Sequence, residues 1–225
     1  KELKKILPNF SKFIFCNSGS EANIKALRIA RAITNKSKVV ATTGSWHGSV
    51  DRTLFTTNKT LKSMPISSGL TDYNKRNVKF IPYNNIESSK KILDKLKNKI
   101  SCILIEPIQA SLPQKDIKNY LKFLDNYSKK NNVILIFDET ISGIRFNGSS
   151  VQKLYNLNPD ISTFGKCFGG GLPIGIIAIK RNILLKITKL KLKVFFGGTF
   201  SGNQISTYLG KKTIEYICGS PKSYN

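Results

Sequence analysis

Two stretches of the chain, "CILIEP" (102–107) and "VILIFDE" (133–139), are unbroken apolar runs that end in an acid. A strand wetted on one side alternates apolar and polar residues. A strand without that alternation is covered on both faces, and the usual cover is a set of helices crossing over between parallel strands. The rest of the sequence supplies such helices. "SEANIKALRIARAITN" (20–35) carries Ile24, Leu27, Ala30 and Ile33 at helical spacing, and "IESSKKILDKLKNK" (86–99) and "KNYLKFLDNYSKKN" (118–131) are amphipathic. Further short strands are predicted at 13–16, 38–43, 78–83, 160–165 and 174–180. The sum is an α/β fold, a mostly parallel sheet with helices on both faces in three layers. Ligands of such sheets bind outside the carboxyl ends of the strands.

At 225 residues the chain can bury one substantial core. No apolar run approaches the ~18 residues of a membrane helix, and the opening "KELKKILPNF" is too polar for a secretory signal. The absence of an initiator methionine and the ending "GSPKSYN" suggest a piece of a longer protein. Cysteines 16, 102, 167 and 218 form no metal-type pair, and three adjoin apolar runs. Reduced buried thiols and a cytoplasmic setting are expected. The net charge of +24 raises the possibility of a nucleic-acid-binding domain. Against it, only six of the 37 basic residues are Arg, and the lysines are spread along the whole chain. A solvated surface that concentrates anionic ligands is the preferred reading, with no nucleic acid and no membrane as partner.

Four segments carry unusual residues, each just after a predicted strand. In "CNSGSEAN" (16–23), Ser18, Gly19 and Ser20 precede a helix whose first N–H groups have no internal partners. That is a phosphate cradle, or an ordinary helix start capped by Ser20. "GSWHGS" (44–49) holds the only Trp and the only His. Trp46 suits stacking on a flat ring and His47 suits hydrogen bonding or proton transfer. The bland alternative is a Trp anchored in the core beside a surface His. Asp138 ends an apolar strand, where an acid needs donors or a positive partner. No further acids or histidines at ligand spacing accompany it, so no metal site is expected. Glu139 points to the opposite face and is expected to be structural. Lys166 lies in "TFGKCFGGGLPIG" (163–175), where Phe164, Phe168 and Leu172 offer desolvation of its amine. A lysine for a Schiff base and an aspartate for a ring nitrogen are the pair a pyridoxal phosphate enzyme needs.

Taken together, these segments, with "ILIEPIQ", "LIFDETISGIR" and "GGTFSGNQIS", resemble the class III pyridoxal-phosphate aminotransferases of fold type I, including their aminomutase branch. The resemblance runs through nearly the whole chain in the family's order. It implies pyridoxal 5'-phosphate as cofactor, a small-molecule amino donor and acceptor, and a homodimer with shared active sites. Lys166 is implied as the Schiff-base lysine and proton shuttle, and Asp138 as the partner of the ring nitrogen. Trp46 stands where the family commonly has Tyr or Phe. Ser18, Gly19 and Ser20 are implied to hold the phosphate, Thr140 to pack against the ring, and Thr199 to reach the phosphate of the neighbouring subunit. His47 is counted with the cofactor-binding residues. Two departures point in different directions. Ile141 stands where many of these transaminases have a glutamine, as is usual in the aminomutases, whereas Gln109 in "EPIQ" resembles the transaminases. The resemblance further implies that 1–225 is the cofactor-binding large domain, without the amino-terminal segment and most of the carboxyl-terminal small domain.

Overall fold

The computed structural model describes residues 1–146 and 148–219. Seven strands form one sheet: β1 (Lys12–Cys16), β2 (Lys38–Thr42), β5 (Val78–Ile81), β6 (Ile100–Ile105), β7 (Ile134–Asp138), β8 (Ile161–Gly165) and β9 (Gly175–Ile179). A separate small hairpin is made by β3 (Phe55–Thr57) and β4 (Ser63–Pro65). The helices are α1 (Glu2–Ile6), α2 (Gly19–Thr34), α3 (Asp72–Asn77), α4 (Ile86–Leu96), α5 (Lys118–Asn131), α6 (Val151–Leu154), α7 (Arg181–Lys189) and α8 (Gln204–Gly219).

The sheet order is β1-β9-β8-β7-β6-β2-β5. Every pairing from β8 through to β5 is parallel, and β9 runs antiparallel to both its neighbours. The reason lies in the connection. Between β8 and β9 only a short 3-10 turn (Lys166–Gly169) and a glycine-rich stretch intervene, too few residues for a crossover helix, so the chain must double back. Because β9 alone is reversed, the carboxyl ends of β1, β2, β6, β7 and β8 share one edge of the sheet.

The unbroken runs behave as strands covered on both faces. All residues of β6 and β7 are buried. Their side chains alternate between two cores, as the two-residue period of a strand requires. Cys102, Leu104, Ile134 and Ile136 meet Ala26, Leu27 and Ile29 of α2. Ile103, Ile105, Leu135 and Phe137 meet Leu93 of α4 and Tyr120, Leu121 and Leu124 of α5. A third core gathers Phe164, Phe168, Ile174 and Ile176 with Ile6 and Ile214. Helix α2 begins at an Ser18 cap and stops at Asn35, whose left-handed φ of 51° ends the helical ladder. Cys16 and Cys102 are buried, Cys167 partly so, and Cys218 is exposed; all four are free. Among the described residues no helix is long and apolar enough to cross a membrane.

Candidate active site

The shared edge of the sheet opens on a cavity of about 710 Å³. Every sequence-predicted site residue except Thr199 lines it: Ser18, Gly19 and Ser20 from the start of α2, Trp46 and His47 after β2, Asp138 and Thr140 at the end of β7, and Lys166 after β8. Thr199 lies apart, exposed in the turn closed by the Ser201 N–H to the Gly198 carbonyl.

The start of α2 is built for an anion. Its cap is Ser18, not Ser20 as the sequence suggested. The Ser18 Oγ accepts from the Glu21 N–H at 3.1 Å, and the Ser20 Oγ accepts from the Ser49 N–H at 3.1 Å. Each hydroxyl thus spends a lone pair on the backbone and keeps its own hydrogen to donate. With the open N–H groups of a 16-residue helix and its positive dipole end, these donors suit a phosphate. Two glycines allow the parts to meet. A Cβ on Gly19 would lie 2.6 Å from Thr140 Cγ2, and one on Gly48, which has φ 79°, would lie 2.1 Å from Ser20 Oγ. Gly19 therefore serves close approach.

Asp138 is buried and densely donated to. Oδ2 faces His47 Nδ1 at 2.9 Å and accepts from Asn23 Nδ2 at 2.8 Å. Oδ1 accepts from the Thr140 N–H at 3.1 Å, the Thr140 hydroxyl at 2.6 Å and the Thr163 hydroxyl at 3.3 Å. Burial alone would push this carboxyl up. The hydrogen bonds from His47, Thr140 and Asn23, with the positive charge His47 carries when protonated, outweigh burial and hold it below the ordinary carboxylate range. Asn23 escaped the sequence reading. Its amide also donates to the His47 carbonyl at 3.1 Å, and its Oδ1 accepts from Thr163 at 2.7 Å. A buried Asn on the apolar face of α2 was the available signal.

The loop after β2 reverses the bland alternative: Trp46 is 50% exposed and His47 is 2% exposed. Glu106, also missed, holds this loop by accepting from the Trp46 N–H at 2.7 Å. It lines the cavity, and burial raises its carboxyl above the usual range. Gln109 donates to the Thr43 carbonyl at 2.8 Å and lies outside the cavity lining, so it steadies the loop. Ile141, in contrast, lines the cavity. Glu139 turns away and accepts from the Val151 N–H at 2.7 Å, capping the short α6.

Lys166 departs from the sequence expectation in one respect. Phe164 and Phe168 do not dry its amine; they pack on each other at 5.0 Å in the third core, and Lys166 is exposed at the cavity wall. Leu172 does line the cavity. The lysine backbone has φ 48°, a left-handed conformation that a non-glycine residue adopts at a cost of about 1–2 kcal/mol. Among the described residues no group of three or more His, Cys, Asp or Glu could hold a metal ion.

A lysine, a buried aspartate and a helix N-terminus on one edge of such a sheet mark a family, and the model for Aminotransferase class-III matches residues 1–221. The chain belongs to that family. It is 36% identical to glutamate-1-semialdehyde 2,1-aminomutase of Methanosphaera stadtmanae over 220 residues, 96% of this chain and 51% of that protein. Among solved structures it is similar to an omega-transaminase from Sphaerobacter thermophilus, with TM-score 0.87 and 24% identity over 96% of this chain and 52% of that one. It is also similar to a transaminase with PLP bound, with TM-score 0.86 and 26% identity over 96% of this chain and 51% of that one. These likenesses fix the fold as that of the family's large α/β unit. The chain spans about half the length of the curated relatives it matches.

Proposed function

We propose that this chain is the cofactor-binding large domain of a cytoplasmic, homodimeric enzyme that transfers an amino group by means of pyridoxal 5'-phosphate. The observation that carries the reading is that Lys166, Asp138 and the start of α2 line one cavity. The residues fit the group. The hydroxyls of Ser18 and Ser20 keep hydrogens for the phosphate, and Gly19 leaves its approach clear. Trp46 offers an open aromatic face for the ring, Thr140 stands across from Gly19 to pack against it, and Asp138 presents an ionised carboxylate.

When bound, pyridoxal 5'-phosphate supplies a carbonyl for the amine and a ring that accepts electron density from the substrate carbon. Lys166 Nζ holds the group and, once displaced by a substrate amine, moves a proton to and from the reacting carbon. Asp138 keeps the proton on the ring nitrogen, and His47 and Asn23 keep Asp138 oriented. Thr199, exposed and away from this cavity, reaches the phosphate of the second subunit of the dimer.

Within amino transfer, the intramolecular shift is favoured over transfer between two substrates. The named relative is an aminomutase, Ile141 lines the cavity where a transaminase glutamine would stand, and Gln109 is engaged with the Thr43 carbonyl. The test is a titration of the full-length protein with pyridoxal 5'-phosphate, followed by two assays. Conversion of glutamate 1-semialdehyde without added keto acid supports the aminomutase. A requirement for a separate amino acid and keto acid supports the transaminase. Failure to bind the cofactor, with tight and steeply salt-dependent binding of DNA or RNA, would replace both with the nucleic-acid reading.

A further inference from the structure

The His47 ring is the least accounted-for group in the site. Nδ1 meets Asp138 Oδ2 at 2.9 Å, while Nε2 is buried and has no hydrogen-bond partner. An imidazolium needs two acceptors, one for each N–H. A neutral ring with its hydrogen on Nε2 would bring the Nδ1 lone pair against a carboxylate oxygen and bury an unpaired N–H. A neutral ring with its hydrogen on Nδ1 donates to Asp138 and leaves only a lone pair without a partner, the milder of the defects. The ring is held in place by its own backbone, since the His47 carbonyl accepts from Asn23 Nδ2. The ionisable groups that line the cavity with it are Asp138, Glu106 and Lys166; Asn23 on α2 and Thr163 on β8, which share the Asp138 network, are uncharged.

We propose that His47 is a positioning residue that donates from Nδ1 to Asp138 as a neutral imidazole, so that the carboxylate keeps its whole negative charge for a cationic ring nitrogen. The last clause rests on the cofactor assignment above; the tautomer does not. Were His47 an imidazolium, the pair would sum to zero charge and the ring proton would face no net anion. On this account the donors around Asp138 keep it ionised without a neighbouring cation.

His47 is the only histidine in the sequence, so its ring nitrogens can be observed without overlap. With 15N-histidine incorporated, two-bond proton–nitrogen correlations at neutral pH should show a protonated Nδ1 and a bare Nε2 in the cofactor-free protein. A hydrogen on Nε2, or on both nitrogens, would overturn the proposal. Two variants test the positioning role in the full-length protein. His47→Asn places an amide N–H near the Nδ1 site and should keep kcat within about tenfold, whereas His47→Gln places it near Nε2 and should lose about a hundredfold. Equal loss in both variants would overturn the role. Wild-type protein that binds no pyridoxal 5'-phosphate would remove the destination of the charge and leave the spectrum to decide the tautomer.

Discussion

Asp138 ends β7 directly opposite Thr163 of β8, and Lys166 follows on the same strand exit. The parallel register of two adjacent strands thus brings an anion and an amine to the wall of one cavity. The Thr163 hydroxyl completes the link by donating to Asn23 of α2.

Lys166→Gly separates chemistry from stability. The left-handed backbone at this position disfavours any side chain, so the glycine variant should be more stable than Lys166→Ala by about 1 kcal/mol. Both should lose the visible absorbance of bound cofactor, and turnover should fall on the order of a thousandfold or more. Denaturant melts and absorbance spectra of the two variants check this; retained absorbance would reject Lys166 as the attachment point.

Asp138→Asn replaces one of two fully donated oxygens with an amide nitrogen. That nitrogen must face either His47 and Asn23 or Thr140, all of which donate. Cofactor binding should survive while turnover falls on the order of 10²–10³-fold. Near-native turnover would be the contrary result.

Trp46 is the only tryptophan, it lines the cavity and it is half exposed. Its fluorescence should be quenched as pyridoxal 5'-phosphate is titrated in. Trp46→Phe should bind the cofactor nearly as well, and Trp46→Ala about tenfold more weakly through lost stacking.

Gly48→Ala puts a methyl group into the Ser20 hydroxyl and onto a backbone at φ 79°. A destabilisation of about 2–4 kcal/mol is expected, together with weaker cofactor binding because Ser20 must move. Equilibrium unfolding and a binding titration of the variant measure the two effects.

Glu139 links stability to pH. Burial raises its carboxyl from 4.5 to about 7 in the folded protein. Below pH 4.5 both states are protonated. Between 4.5 and about 7 the unfolded chain ionises first, so this residue's contribution falls as pH rises, by up to about 3 kcal/mol. Asp138 acts in the opposite sense: its lowered carboxyl stabilises the fold above its ordinary range and ceases to do so as pH falls through its native value. Unfolding of wild type and Glu139→Gln at pH 5 and pH 8 should show a smaller loss over that interval in the variant.

The sequence carried the sheet and its helices because the signals are local. The run at 133–139 became β7 with all residues buried, and the helix predicted at 118–131 became α5 over the same residues. It carried the site positions for a related reason, since each lies at a strand exit. Three things were not legible. The reversal of β9 depends on the length of a connection. The roles of Asn23 and Glu106 depend on partners far along the chain. The exposure of Lys166 depends on its backbone angle and on Phe164 and Phe168 facing the other way. No single segment contains those facts.

The bonds of Asn23 reach across 115 residues to Asp138 and across 140 to Thr163. A growing polypeptide therefore cannot assemble this constellation from its early portion, because one anchor is synthesised long before the others exist. Reactivity is a property conferred only on the finished molecule.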